Sequence, residues 1–137
     1  MSDKRVITFG TFDLLHIGHL NIIERAAALG DKLVVGISSD ELNFSKKRRY
    51  PICNYEQRSR LIKALKGVTE IFKEESLEQK RDYILEHKAD ILVMGDDWEG
   101  KFDFLKDVCE VVYLPRTPTI STTELIEKIT LEQSRHH

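Results

Sequence analysis

The apolar positions of this chain fall into short runs separated by longer amphipathic stretches. Arg5-Val6-Ile7-Thr8-Phe9 is a compact β-branched run closed by Gly10 and predicts a strand. From Ile17 to Leu29, Leu20, Ile23, Ala27 and Leu29 return near one helical face, with Asn21, Glu24 and Arg25 on the other. That spacing predicts a helix, with Gly30 as its C′ residue. Lys32 to Ile37 reads as a second strand, Val-Val-rich and buried on both sides. The polar stretch from Ser38 to Asn54 predicts no element. Asn54 with Gln57 opens a helix that stops before Gly67, and Val68 to Phe72 reads as a third strand. Ser76 with Gln79 opens a helix running to about His87. Asp90 to Met94 is a fourth strand ended by Gly95, Lys101 to Lys106 a short helical stretch, and Cys109 to Leu114 a fifth strand. After a loop from Pro115 to Ile120, Ser121 and Glu124 form a capping box for a last helix reaching about Ile129.

Strands that alternate with helices predict an α/β fold: a single Rossmann-like, doubly wound domain whose five-stranded, mostly parallel sheet carries helices on both faces. The domain is expected over residues 1–130. Residues 131–137 read as an expression remnant or disordered tail and are left out of the fold. In such sheets ligands bind beyond the carboxyl ends of the strands. Attention therefore goes to the segments after Phe9, Ile37, Phe72, Met94 and Leu114.

Composition narrows the classes. The chain has 137 residues, 41% hydrophobic, which is enough for one domain with its own core and excludes a wholly disordered chain. Lys and Arg number 21 against 23 Asp and Glu, a net charge of −2 that speaks against a nucleic-acid partner while leaving room for a local basic cluster. Cys53 and Cys109 form no disulfide framework and no C-x-x-C pair. The apolar run before Gly10 is too short for a signal peptide or membrane span, so no membrane partner is expected and the cytoplasm is the expected compartment.

The segment after the first strand concentrates chemistry: Gly10-Thr11-Phe12-Asp13-Leu14-Leu15-His16-Ile17-Gly18-His19. Two histidines three residues apart at a helix start share one face, beside free N–H groups and the positive end of the helix dipole. That arrangement suits phosphate, to which both imidazoles can donate. A metal site has no third ligand near in sequence. Asp13 could orient a ligand hydroxyl or a metal ion, or serve only a turn. Arg116-Thr117 leads into Ser121-Thr122 at a second helix start, where an Arg fork would grip phosphate oxygens; a plain capping box with a surface Arg is the alternative. Lys46-Lys47-Arg48-Arg49 is a run of four cations, most of which a solvated loop would explain. Arg58 and Lys80 each read as either surface or anion-binding residues. Gly95-Asp96-Asp97-Trp98 follows the fourth strand, with carboxylates placed to cap a turn and Trp98 read as a packing residue.

Gly10-Thr11-Phe12-Asp13 with His16-Ile17-Gly18-His19 resembles the H-x-G-H signature of the nucleotidylyltransferase superfamily. Arg116-Thr117 followed by Ile120-Ser121-Thr122-Thr123 resembles the R-T-x-x-I-S-T-T motif of cytidylyltransferases, and residues 94–106 resemble the matching stretch of glycerol-3-phosphate cytidylyltransferases. The resemblance spans roughly residues 4–129. It implies transfer of a cytidylyl group from CTP, with Mg²⁺, to a small phosphorylated alcohol, in a homodimeric enzyme that supplies teichoic acid or capsule-type polymers. It implies catalytic roles for His16, His19, Lys46 and Arg116. Nucleotide contacts would come from these two histidines, Thr11, Phe12, Gly95, Asp97, Arg116, Thr117, Ile120, Ser121 and Thr122. Acceptor contacts would come from Asp13, Lys46, Arg58 and Lys80. The sequence departs from the family at Leu77, where Trp is common, and at Pro118-Thr119, where Glu-Gly is usual. Both departures bear on the acceptor, so a different phosphorylated alcohol stays open, as does a nucleotide-binding module without catalysis.

Overall fold

The computed structural model describes residues 3–116 and 122–135. Five strands form one parallel sheet: β1 (Arg5–Gly10), β2 (Lys32–Ser38), β3 (Glu70–Glu74), β4 (Ile91–Gly95) and β5 (Glu110–Leu114), in the order β3-β2-β1-β4-β5. The helices are α1 (Ile17–Ala27), α2 (Asp40–Lys47), α3 (Tyr55–Lys63), α4 (Lys80–Glu86) and α5 (Thr122–Arg135).

Successive strand residues point to opposite faces, so each central strand feeds two cores. Val6, Leu33, Val35, Ile37, Ile91 and Val93 pack with Ile23 and Ala26 of α1 and Ile62 of α3. Ile7, Phe9, Val34, Leu92 and Met94 pack on the other face with Ile84 of α4 and Leu105. Helices therefore cover both faces, as the continuous apolar runs of β1, β2 and β4 require. The strand order reverses between β1 and β4. In a doubly wound sheet that reversal opens a crevice at the carboxyl ends, here beyond Gly10 and Gly95.

Several boundaries differ from the sequence expectations. The polar stretch after Ser38 contains α2. Ser39 caps it, its hydroxyl accepting from Leu42 N at 3.0 Å. Asp40 and Glu41 open the helix and Lys46 and Lys47 close it, matching the helix dipole. Only Leu42 and Asn43 of α2 are buried, too few positions to register as an amphipathic period. β3 starts two residues later than expected, because its register against β2 runs from Val34 opposite Glu70 to Ser38 opposite Glu74. Gly30 is not a left-handed C′ residue. The left-handed glycines among the described residues are Gly67 and Gly100, and Gly30 is required because a Cβ there would lie 2.7 Å from the Lys4 carbonyl oxygen. The helix expected from Ser76 begins as a 3-10 turn, Leu77–Gln79, before α4. The stretch expected at 101–106 is a 3-10 turn, Asp103–Leu105. The last helix passes Ile129 and continues to Arg135, so 131–135 is helical. Among the described residues no helix is long and apolar enough to cross a membrane.

Candidate active site

A cleft of about 530 Å³ opens at the reversal point, walled by the loop after β1, the start of α1, the end of α2, the segment 49–51, and the ends of β3 and β4.

The loop after β1 is strained. Phe12 and Leu14 have φ of 55° and 51°, left-handed values rare for such side chains and concentrated at functional loops. The fold of the loop tucks the Phe12 ring under Gly10, where a Cβ would stand 2.8 Å from the ring. The chain then enters α1 with His16 as N-cap. His16 Nδ1 accepts from Gly18 N at 3.0 Å, and His19 Nδ1 accepts from His16 N at 3.2 Å, a capping box built from two imidazoles. The rings stack 3.9 Å apart at 20°.

This geometry assigns the tautomers. A ring nitrogen that accepts a backbone N–H carries no proton, so in each neutral ring the proton is on Nε2. Both histidines are neutral donors. Burial, then the adjacent His16, push the His19 pKa down from 6.5 to about 4 against an opposing pull from Asp13. Burial also lowers that of His16. His16 Nε2 is buried and has no hydrogen-bond partner among the described residues.

The His19 shift makes a stability prediction. Between pH 6.5 and about 4 the unfolded chain binds a proton that the folded chain excludes. Stability therefore rises with pH across that window, is fully present above 6.5, and falls by ~2–3 kcal/mol as pH drops toward 4. Urea unfolding of wild type and His19→Gln at pH 7.0 and pH 4.5 (about half a unit above the lowered pKa) measures this. The Gln variant is expected to lose most of the wild-type slope, and an unchanged slope would refute the assignment.

Ten of the predicted site residues line the cleft: Thr11, Phe12, Asp13, His16, His19, Lys46, Lys80, Gly95, Asp97 and Arg116. Thr11 donates to Asn43 Oδ1 at 2.8 Å, and Asn43 Nδ2 donates to Ser38 Oγ at 2.7 Å, locking the loop to α2. Asp13 has an anchoring part in this wall: its two oxygens accept from Ile52 N at 2.7 Å and Cys53 N at 2.9 Å, holding the segment that carries Arg49, Tyr50 and Pro51 into the cleft. Gly95 stands between Asp97 and Arg116; a Cβ there would be 2.7 Å from Asp97 Oδ1 and 3.8 Å from Arg116 Cγ. Arg25 of α1 donates to Pro115 O at 3.1 Å and fixes the approach to Arg116. Thr117, Ile120 and Ser121 lie outside the described residues, and Thr122 is placed only as the first residue of α5.

Arg58 corrects its sequence reading. It is 0% exposed and does not reach the cleft wall. Its guanidinium donates to Cys53 O at 3.0 Å, Thr11 O at 2.8 Å, Ser38 O at 2.9 Å and Asp40 Oδ1 at 2.7 Å. Those bonds use four of its five N–H groups, and the side chain has no exposed surface, so Arg58 fastens the loop after β1 to α2 and does not present its charge to the cleft. The basic run departs the other way: Lys46, Lys47 and Arg49 all line the cleft, while Arg48 is the left-handed C-cap of α2. Lys46 opens to solvent yet is crowded by its surroundings. Desolvation lowers its pKa, Glu74 opposes this, and Lys47, Lys80 and Arg58 add to the lowering. Trp98 packs on Phe102 with ring centroids 5.5 Å apart and also faces the cleft, as does Leu77.

Asn43 and Glu74 are cleft residues that the sequence reading missed. The Ser39 cap before α2 was the available signal for Asn43. Nothing local marks Glu74, the first of two adjacent acids at the end of an edge strand. Among the described residues no three His, Cys, Asp or Glu side chains form a metal-binding group.

Residues 7–128 match the family described as Cytidylyltransferase-like. The chain is 56% identical to the glycerol-3-phosphate cytidylyltransferase of Bacillus subtilis (strain 168), covering 92% of this chain and 97% of that protein. It is 46% identical to the glycerol-3-phosphate cytidylyltransferase of Staphylococcus aureus (strain NCTC 8325 / PS 47), covering 92% and 95%. The crystal structure of the lipopolysaccharide core biosynthesis protein from Thermoplasma volcanium GSS1 superposes with a TM-score of 0.71 at 26% identity, over 85% of this chain and 99% of that one. With the histidine-capped helix and the crevice at the sheet reversal already in place, these matches show that the chain belongs to the cytidylyltransferase-like family, and within it to the glycerol-3-phosphate cytidylyltransferases.

Proposed function

We propose that this chain transfers a cytidylyl group from CTP to glycerol 3-phosphate, giving CDP-glycerol and pyrophosphate. The relatives named for that activity support it, and the carrying observation in the site is His16 Nε2, a buried N–H donor on the cleft wall with no hydrogen-bond partner among the described residues. A buried donor left unpaired is costly unless a ligand completes it, and a phosphate oxygen does so.

The acceptor needs no activation by a base. A phosphomonoester carries close to two negative charges at pH 7, since its second pKa is about 6. One of its oxygens forms a bond to the α-phosphorus of CTP as the bond to the bridging oxygen breaks, and pyrophosphate departs with the electron pair. The protein's task is to bring two anions together and to stabilise the charge that shifts onto the leaving group. The neutral His16 and His19 donate through Nε2 without changing protonation, and the N-terminus of α1 adds its dipole. Lys46, Lys80 and Arg116 supply the positive charge. Mg²⁺ is the expected cofactor. The described donor set has no protein cage for it, which suits a cation held mainly by the triphosphate, with Asp13 or Asp97 the carboxylates at hand. Bound there, it would neutralise phosphate charge.

We further propose, from the family resemblance, that the enzyme is cytoplasmic and homodimeric and supplies a teichoic acid or capsule-type polymer. Light scattering on the purified chain checks the dimer.

Leu77 favours a second acceptor as the alternative. It lines the cleft where the family commonly carries the larger Trp, so longer polyol phosphates have room there. Pyrophosphate release is therefore to be measured with CTP or ATP against a panel of phosphorylated alcohols, each alone and in pairs. Release with CTP and glycerol 3-phosphate together, and with neither alone, is expected. Release only with a longer polyol phosphate would move the assignment to that alcohol, and release with ATP would overturn cytidylyl transfer.

A further inference from the structure

Glu74 is out of place for its strand. β3 is an edge strand whose other residues are exposed or half-buried, yet its last residue is a carboxylate only 2% exposed. A buried carboxylate is retained when it is paired, and its partner is the Lys80 ammonium. Lys80 is itself 4% exposed, with Nζ 4.3 Å from the centroid of Phe9 and 5.5 Å from that of Phe102. One carboxylate and two aromatic faces thus hold the end of a flexible four-carbon stem in one place. The main chain of the same residue ties down the other lysine: Glu74 O accepts from Ser39 N at 2.8 Å, and Ser39 is the N-cap of α2, the helix that carries Lys46. Glu74, Lys80 and Lys46 all line the cleft.

We propose that Glu74 is a positioning residue for the acceptor, fixing the Lys80 ammonium directly and compensating the repulsion between Lys80 and Lys46, so that both cations face an incoming phosphomonoester. The inference rests on the proposed acceptor reading of Lys46 and Lys80. Two ammonium groups in one partly apolar cleft repel each other and are poorly solvated; a single carboxylate between the strand end and α4 offsets both penalties. Lys46 is faced by Glu74 from β3, Lys80 from α4, Arg58 from α3 and Lys47 on its own helix. The other titratable side chains on the walls include Asp13, His16, His19, Arg49, Asp97 and Arg116. Of the groups acting on Lys46, Glu74 is the one that opposes loss of its proton.

The experiment compares wild type with Glu74→Gln, Glu74→Asp and Lys80→Met. It measures CTP affinity by calorimetry, acceptor KM and kcat with glycerol 3-phosphate, melting temperature, and the alkaline limb of kcat/KM for the acceptor. Glu74→Gln is expected to bind CTP within ~2-fold of wild type and to raise acceptor KM at least ~10-fold, the size of one lost charge-assisted contact. Its alkaline limb is expected to move to lower pH. Glu74→Asp keeps the charge, so its limb stays at the wild-type position with an intermediate KM. A Glu74→Gln protein that melts earlier but keeps the wild-type acceptor KM and alkaline limb would reduce Glu74 to a structural ion pair and overturn the proposal. If Glu74→Gln does not fold, Glu74→Asp decides: a raised acceptor KM with unchanged CTP affinity supports the proposal, and an unchanged KM overturns it. Lys80→Met separates the two readings. An unchanged acceptor KM there refutes the acceptor site itself, whereas a raised KM beside an unaffected Glu74→Gln refutes only the role of Glu74.

Discussion

Replacing His16 with Asn is expected to leave the fold intact and cut kcat by ~100-fold or more, the range for one preorganised donor to developing charge. The choice of residue matters, because His16 does two things. Its Nδ1 caps α1 by accepting from Gly18 N, and its Nε2 is the buried donor on the cleft wall. Asn is among the best N-caps and replaces the first function. It cannot place an N–H where Nε2 stands. His16→Ala removes both, so it is expected to add a loss of ~1 kcal/mol in stability to a similar loss of turnover. Steady-state pyrophosphate release and urea unfolding on the two variants separate cap from donor. Near-wild-type turnover in folded His16→Asn would remove His16 from the chemistry.

Arg58→Leu is expected to destabilise the protein by ~3–5 kcal/mol, the usual consequence of removing one partner from a buried, hydrogen-bonded charge. The variant would leave the carbonyls of Thr11, Ser38 and Cys53 and the carboxylate of Asp40 without their donor. For a domain of this size the corresponding fall in melting temperature is roughly 10–20 °C. Lysine does not rescue it, since one ammonium cannot reproduce a fork that serves four acceptors. Differential scanning calorimetry checks the shift. A variant with an unchanged melting temperature and a raised acceptor KM would restore Arg58 to the acceptor site, where the family resemblance had put it.

Arg58 also shows what could be read locally. Its helix was legible, because Asn54 and Gln57 form the capping box that the sequence announces. The direction of its side chain was not legible. That direction depends on how α3 docks against the loop after β1 and against Ser38, positions 20 to 47 residues away along the chain. The histidine pair lies at the opposite extreme. His16 and His19 meet through a spacing of three at a helix start, so their stacking and their tautomers follow from local geometry alone. α2 falls between the two: its cap and its ordered charges were present in the sequence, but with only two buried positions its apolar period was too weak to read.

The linear order of residues determined the alternation of strands and helices, the Gly-ended first strand, the imidazole-capped helix and the motifs that place the chain in its family. These depend on periods of two and 3.6 and on contacts within one turn, which a short window of chain contains. The tertiary structure decided which charges meet. The order β3-β2-β1-β4-β5 brings Gly10, Glu74 and Gly95 to one crevice from distant parts of the chain. It sends Arg58 inward and Lys46, Lys47 and Arg49 toward the cleft. An ionic side chain takes its role from the partners and the solvent left around it, and in this protein those are set by strand order and helix docking.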